Sequence, residues 1–137
     1  MRVCIGMLCR NSKLLICRRL GRREHAHLME FPGGKAENGE SPFDTLYREL
    51  FEELGIRIAS STLILECPYP YDPAVLLEFY LVTDWIGEPM CLDHEEIVWE
   101  TFTAIRSRAD LINTAMVLAI DSLEEYEKHR DRSGAAI

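Results

Sequence analysis

A helix crowded with acids and preceded by two glycines constrains the fold of this chain more than any other feature. Its start is well marked, because Ser41 offers a hydroxyl cap, Pro42 suits the first helical position and Asp44 can answer the cap. Gly55 stands where a left-handed residue would end the helix. Apolar residues recur at helical spacing and predict the buried stripe: Phe43, Leu46 or Tyr47, Leu50 and Leu54. The sequence therefore predicts an amphipathic helix between Ser41 and Gly55.

Four glutamates fall within fourteen positions of this segment: Glu40, Glu49, Glu52 and Glu53. The last three are spaced so that their side chains gather on one helical face, away from the apolar stripe. Carboxylates this close repel one another unless a hard cation or hydrogen-bond donors compensate them. Arg48 can hold one of them in a bidentate pair. Such a glutamate group on a helix is commonly a solvated face, but the preceding glycines favour a metal site.

The glycine pair Gly33-Gly34 lets the backbone approach a ligand and leaves carbonyl oxygens free to coordinate a hard ion. Oxygens from the loop and the helix suit Mg²⁺ or Mn²⁺, with positions left for water and a phosphate. An open site of this kind indicates phosphoryl or pyrophosphoryl chemistry. No serine, cysteine or histidine arrangement suggests a covalent nucleophile, and we interpret His25 and His27 as polar surface residues.

Composition excludes several classes of protein. The length of 137 residues fits one domain, which we place at residues 1–129, with a polar tail at 130–137 that we expect to be frayed. A net charge of -8 argues against nucleic-acid binding through a basic face. The five cysteines form no Cys-x-x-Cys pair, and the first apolar run ends at Arg10. We therefore expect a cytoplasmic protein without a membrane span.

The rest of the chain predicts short strands and one more helix. The strands are expected at residues 3–8, 14–17, 63–67, 76–82 and 96–102, with Pro68, Pro70 and Pro73 as breaks between them. Residues 114–127 carry apolar positions on one side and predict a second amphipathic helix. The arginines Arg18, Arg19, Arg22 and Arg23 precede the glycines, and they either belong to a solvated loop or contact phosphate.

At this point the residues resemble a known family. The signature of the Nudix hydrolases is matched by Gly34, Glu40, Arg48, Glu49, Leu50, Glu52, Glu53, Gly55 and Ile56. Residues 29–35 are similar to the segment that leads into this signature in the MutT branch, which removes oxidised guanine nucleotides from the precursor pool. The resemblance implies an α/β fold, the Nudix α/β/α sandwich, with a mixed β-sheet between helices. It also implies water attack on a nucleoside triphosphate to give a monophosphate and pyrophosphate.

The resemblance carries roles to individual positions. It implies that Glu52, Glu53 and the Gly33 carbonyl hold metal, and that Glu49 binds metal or acts as the base while Arg48 orients it. Gly34, Glu40 and Gly55 support the loop and helix, and Asp93 would be an extra acid from a distant loop. The implied substrate residues are Arg19, Glu30, Phe31, Lys35, Asp72 and Asn113. Asn113 either reads a purine edge, as an amide can, or caps the following helix.

The nucleotide itself remains open at the level of sequence. After Asp72 the chain has Pro73-Ala74, where the MutT pattern has a basic residue. Alternative substrates are cytidine nucleotides, dinucleoside polyphosphates or a pterin triphosphate, and a different class is a nucleotide-binding module without turnover. We expect a small-molecule nucleotide as the partner, no nucleic acid or membrane, and a monomer or homodimer.

Overall fold

The structure is a computed structural model and describes residues 1–133. Within these described residues, nine strands and three helices follow one another. They are β1 (Arg2–Arg10), β2 (Lys13–Arg18), β3 (Met29–Glu30), β4 (Gly33–Lys35), α1 (Pro42–Leu54), β5 (Arg57–Ile58), β6 (Thr62–Tyr69), β7 (Asp72–Val82), β8 (Trp85–Ile86), β9 (Glu96–Thr101), α2 (Phe102–Arg106) and α3 (Ala115–Ser133).

Seven of these strands form one mixed sheet. Its main path runs β3-β2-β1-β7-β6, while β4 pairs with β1 and β9 pairs with β2. The pairing of β1 with β7 is parallel, from Arg2 opposite Leu76 to Leu8 opposite Val82, and the other pairings are antiparallel. Strands β5 and β8 form a separate two-stranded sheet. The hairpin expected from residues 3–8 and 14–17 is confirmed as β1 and β2.

Helices cover both faces of the large sheet, because its strands alternate apolar side chains between the two sides. On one side α3 packs on a core that includes Met7, Phe79 and Ile120. On the other side α1 packs on a core that includes Leu8, Leu15 and Tyr80. The predicted sandwich of a mixed sheet between helices is confirmed. Among the described residues, no helix is both long and apolar enough to cross a membrane.

Helix α1 begins and ends where the sequence predicts. The Ser41 hydroxyl accepts a hydrogen bond from the Asp44 amide at 3.1 Å, and Gly55 adopts the left-handed conformation with φ of 72°. Leu46 is buried while Tyr47 is exposed, which decides between these two candidates for the stripe. The two caps determine where the helix begins and ends, and this determines which direction its acidic side chains face.

Several boundaries differ from the sequence expectation. Pro68 lies inside β6 and Pro73 inside β7, because β6 is an edge strand and Pro73 lies at the start of its strand, where a missing amide hydrogen is tolerated. The last strand stops at Thr101, whose hydroxyl caps α2 by accepting from the Ala104 amide at 3.1 Å. Helix α3 continues to Ser133, since the charged residues beyond 127 are good helix formers; residues 134–137 of the expected tail lie outside the described part.

Candidate active site

Strand β4 places the two glycines between β1 and the acidic face of α1. Gly33 has φ of +149°, and a side chain there would collide with the Cys4 carbonyl of the neighbouring strand. A Cβ atom on Gly34 would lie 2.6 Å from both carboxylate oxygens of Glu49. The glycines are therefore required by close packing, and this packing brings backbone against the carboxylates of the helix.

Arg48 connects the acids on the loop side of this site. Its Nε and Nη2 donate to the two oxygens of Glu40 at 2.8 and 2.9 Å, and its Nη1 donates to Glu49 at 2.8 Å. Nη2 also donates to the Lys35 carbonyl at 3.0 Å. The bidentate pair predicted for Arg48 thus forms with Glu40. These hydrogen bonds from Arg48 lower the pKa of Glu40 to about 2, with help from the Glu37 amide.

Glu53 is the most perturbed acid of the site. Its side chain is buried, and one oxygen accepts a hydrogen bond from the Gly33 amide at 3.2 Å. Burial, followed by the charges of Glu49 and Glu30, raises the pKa of Glu53 to about 10. Glu52 is different, because its side chain is 57% exposed and lies 3.7 Å from Arg48. One buried and two more accessible carboxylates therefore face the same space.

His94 joins this group, although the sequence analysis did not select it. Its Nε2 lies 2.9 Å from Glu30 Oε2 and 3.5 Å from Glu53 Oε1, and ligand atoms of these three residues fall within 4.8 Å of one another. The only signal in the sequence was its position beside Asp93. The structure pairs Asp93 with Arg23 at 2.7 Å, so the role of Asp93 as a metal ligand stays a prediction.

A cleft of about 730 Å³ opens beside the acids, between the sheet and the start of α3. Its apolar floor includes Ile5, Leu77 and Phe79, and the two glycines form part of its wall. All six residues expected to bind substrate line it: Arg19, Glu30, Phe31, Lys35, Asp72 and Asn113. The volume is within the range of pockets for small organic ligands.

Asn113 has a buried amide oxygen that finds no hydrogen-bond partner within residues 1–133. It therefore does not cap α3, which decides against the alternative considered for this residue. The chain before it is held against β3, where the Ile112 amide donates to the Met29 carbonyl at 2.9 Å. A buried acceptor without a donor is costly unless a ligand supplies one. Asn113 is thus placed to accept from a donor group bound in the cleft.

The basic segment before the glycines divides into two groups. Arg19 lines the cleft and donates to Glu30 at 2.8 Å. Arg18 instead pairs with Glu96 at 2.7 Å, and Arg23 pairs with Asp93. His27 is exposed beside Glu95, as expected, whereas His25 stacks on Tyr71 at the rim of the cleft. Of this segment, Arg19 is therefore best placed for a phosphate.

Comparison with known proteins identifies the family. The family model for the NUDIX domain matches residues 1–118 of the chain. The chain belongs to the Nudix family. This match includes the glycine loop, the acidic helix and the loop that carries His94.

Relatives and solved structures agree with this membership. The 8-oxo-dGTP diphosphatase of Haemophilus influenzae is 38% identical over 89 residues, which is 64% of this chain and 65% of that protein. The Escherichia coli 8-oxo-dGTP diphosphatase is 35% identical over 98 residues, covering 71% of this chain and 76% of that protein. The CTP pyrophosphohydrolase of Escherichia coli is 32% identical over 98 residues, 71% of this chain and 73% of that protein.

Two solved structures extend the likeness to three dimensions. The crystal structure of a MutT NUDIX hydrolase from Burkholderia pseudomallei superposes with a TM-score of 0.76 at 25% identity, over 88% of this chain and 95% of that one. The solution structure of the Escherichia coli ORF135 protein gives 0.81 at 26% identity, over 94% and 91%. The Nudix sandwich predicted from the sequence is thereby confirmed.

Proposed function

We propose that this Nudix protein is a metal-dependent nucleoside triphosphate pyrophosphohydrolase. In this proposal it converts an oxidised purine deoxynucleoside triphosphate into the monophosphate and pyrophosphate. The main support for this proposal is that the buried carboxyl of Glu53 lies beside a cleft, and that the Asn113 amide oxygen in this cleft has no hydrogen-bond partner among the described residues. The 8-oxo-dGTP diphosphatases among the relatives support the same substrate class.

The acids fit a divalent cation. Glu30, Glu53 and His94 bring their ligand atoms within 4.8 Å of one another, and burial together with the charge of Glu49 raises the pKa of Glu53. A bound cation would compensate this negative charge. Glu49, Glu52, Glu53 and the Gly33 carbonyl would hold Mg²⁺, with Mn²⁺ able to substitute. Such an ion neutralises phosphate charge and lowers the pKa of water. An oxygen set of this type suits hard cations.

Side chains of the protein would orient the water and bind the nucleotide. Arg48 fixes Glu49 in one orientation, so that Glu49 can take the proton of the attacking water or complete the cation site. Lys35 and Arg19 face the same cleft and offer positive charge to phosphate oxygens. Phe31 contributes an apolar surface for the base, and the Asn113 oxygen accepts from a ring N–H or exocyclic amine.

A second candidate substrate is a cytidine nucleotide. The CTP pyrophosphohydrolase relative favours it, and so does the absence of a basic residue after Asp72, where Pro73 and Ala74 stand. Cytosine also presents an exocyclic amine to which Asn113 could be an acceptor. A net charge of -8 disfavours nucleic acid as a partner, so we expect a free nucleotide in the cytoplasm as the partner of a monomer or homodimer.

The test is a screen of pyrophosphate release over 8-oxo-dGTP, dGTP, CTP, dinucleoside polyphosphates and a pterin triphosphate with Mg²⁺ present. We expect preference for 8-oxo-dGTP and loss of turnover in Glu53→Gln. The matched control is Glu125→Gln, which changes an exposed glutamate on α3 and should behave as the original protein. Full activity in Glu53→Gln would contradict the proposed site. Tight nucleotide binding without product would indicate a binding module instead.

A further inference from the structure

His94 is a buried polar side chain that the proposed cation site does not require. Only 1% of its side chain is exposed, and Nε2 lies 2.9 Å from Glu30 Oε2 and 3.5 Å from Glu53 Oε1. Glu53 belongs to the proposed cation site, whereas Glu30 lines the substrate cleft. The imidazole therefore stands between the two halves of the active site.

The surroundings assign the ring hydrogen to Nε2. The nearer neighbour on that side is Oε2 of Glu30 at 2.9 Å, a carboxylate oxygen that accepts a hydrogen bond. Nδ1 is buried and has no hydrogen-bond partner among the described residues, so a hydrogen placed there would remain unsatisfied. His94 thus donates from Nε2 to Glu30, and Glu53 Oε1 lies 3.5 Å from the same nitrogen.

Backbone contacts hold this imidazole in place. The loop that carries His94 is tied to the end of α1, where the Met90 amide donates to the Leu54 carbonyl at 2.9 Å and the Leu92 amide donates to the Glu53 carbonyl at 3.1 Å. Just beyond His94, the loop is tied to β2 through the Glu95 amide. Because these bonds join the loop to the helix that carries Glu53, the ring and that carboxylate keep a fixed relation.

Glu30 is held from both sides. One oxygen accepts from Arg19 at 2.8 Å and the other contacts His94, so both are occupied. A continuous chain then runs from Arg19 in the cleft through Glu30 and His94 to Glu53. On its far side, Glu53 accepts from the Gly33 amide. Each carboxylate in this chain has little freedom to rotate.

We propose that His94 is a positioning residue whose Nε2–H holds Glu30 and Glu53 apart and fixed, so that substrate contact and cation binding are coupled. The expected effect on catalysis rests on the proposed function, whereas the hydrogen bonds of His94 do not depend on which nucleotide is bound. Loss of the donor would let Glu30 turn away from Arg19 and let Glu53 turn away from its place beside Gly33. Removing partners of this kind around a metal site commonly costs about 10- to 100-fold in metal affinity or activity.

Two amide substitutions separate the hydrogen bond from simple packing. His94→Gln places an amide N–H near the position of Nε2, whereas His94→Asn places it near Nδ1 and leaves Glu30 Oε2 without its donor. The surface variant His129→Gln, on the exposed side of α3, is the control. Mn²⁺ binding to each protein is measured by electron paramagnetic resonance without nucleotide, and kcat and KM are measured with Mg²⁺ and the preferred nucleotide.

We expect His94→Asn to weaken Mn²⁺ binding and raise the nucleotide KM, each by about 10-fold or more, while His94→Gln stays within about 3-fold of the original protein. Equal behaviour of the two variants, whether both intact or both impaired, would overturn the proposal, since the donor position would then not matter. Thermal melting without metal checks that both variants fold. If no nucleotide is hydrolysed by the original protein but Mn²⁺ binding still distinguishes Gln from Asn, the positioning role stands and the proposed function fails.

Discussion

Glu53→Gln is expected to remove a decline of stability with pH in the metal-free protein. The pKa of Glu53 in the folded chain is about 10, compared with an ordinary value of 4.5. Between these values the folded chain keeps a proton at Glu53 that the unfolded chain releases. Below pH 4.5 Glu53 is protonated in both states, so its contribution to the free energy of unfolding is fully present. As pH rises from 4.5 toward 10, this contribution is lost and the free energy of unfolding falls.

The size of the effect follows from proton linkage. One extra proton held by the folded state corresponds to a slope of about 1.4 kcal/mol per pH unit, so a rise from about pH 5.5 to about pH 7.5 costs ~3 kcal/mol. Glutamine has nearly the shape of a protonated glutamate, but it does not titrate. The Gln variant should therefore lack this slope and should be the more stable protein at neutral pH in the presence of EDTA.

Urea unfolding at several pH values, each with EDTA, measures this difference. Fluorescence of the stacked pair Trp85 and Trp99 provides the signal, since these rings lie 6.2 Å apart in the folded chain. Comparison with Glu125→Gln removes the contribution of other titrating groups. Parallel stability curves for the original protein and Glu53→Gln would refute the reasoning, because Glu53 would then titrate alike in the folded and unfolded states.

Two further predictions concern the loop and the cleft. Gly34→Ala should displace Glu49, since the added Cβ would lie 2.6 Å from its carboxylate oxygens. We expect kcat to fall about 100-fold while the circular dichroism spectrum stays unchanged. Normal turnover in this variant would contradict the packing of Gly34 against Glu49. Asn113→Leu should raise KM for the preferred nucleotide by about 10-fold or more, because the hydrogen-bond acceptor is lost. If the ranking of nucleotides in the screen is unchanged, Asn113 does not determine which base is bound.

The local features of α1 could be read from the sequence because they depend on neighbouring residues. Ser41 and Gly55 bound the helix through their own chemistry, and the apolar period fixes which face is buried. The acidic face follows from the same register. Residues of the cleft were assigned through the resemblance to the Nudix family, and the structure brings them together.

Other features depend on contacts distant in sequence. The sequence of β1 does not predict its parallel pairing with β7, because many apolar strands could pair with β1 at this position in the sheet. The prolines of β6 and β7 argued for breaks, but their positions at an edge and a strand start made them harmless. His94 looked like one polar residue in an acidic loop. Its importance appears only when the fold brings Glu30 and Glu53 to it from two other elements.

We expect the acidic helix to direct cleavage of a nucleoside triphosphate between its α- and β-phosphates. Phosphorus NMR of the products formed by the original protein from 8-oxo-dGTP and Mg²⁺ tests it most directly, with Glu53→Gln as the control. We expect a nucleoside monophosphate and pyrophosphate in equal amounts from the original protein, and neither product from the variant. Release of orthophosphate and a nucleoside diphosphate would contradict it.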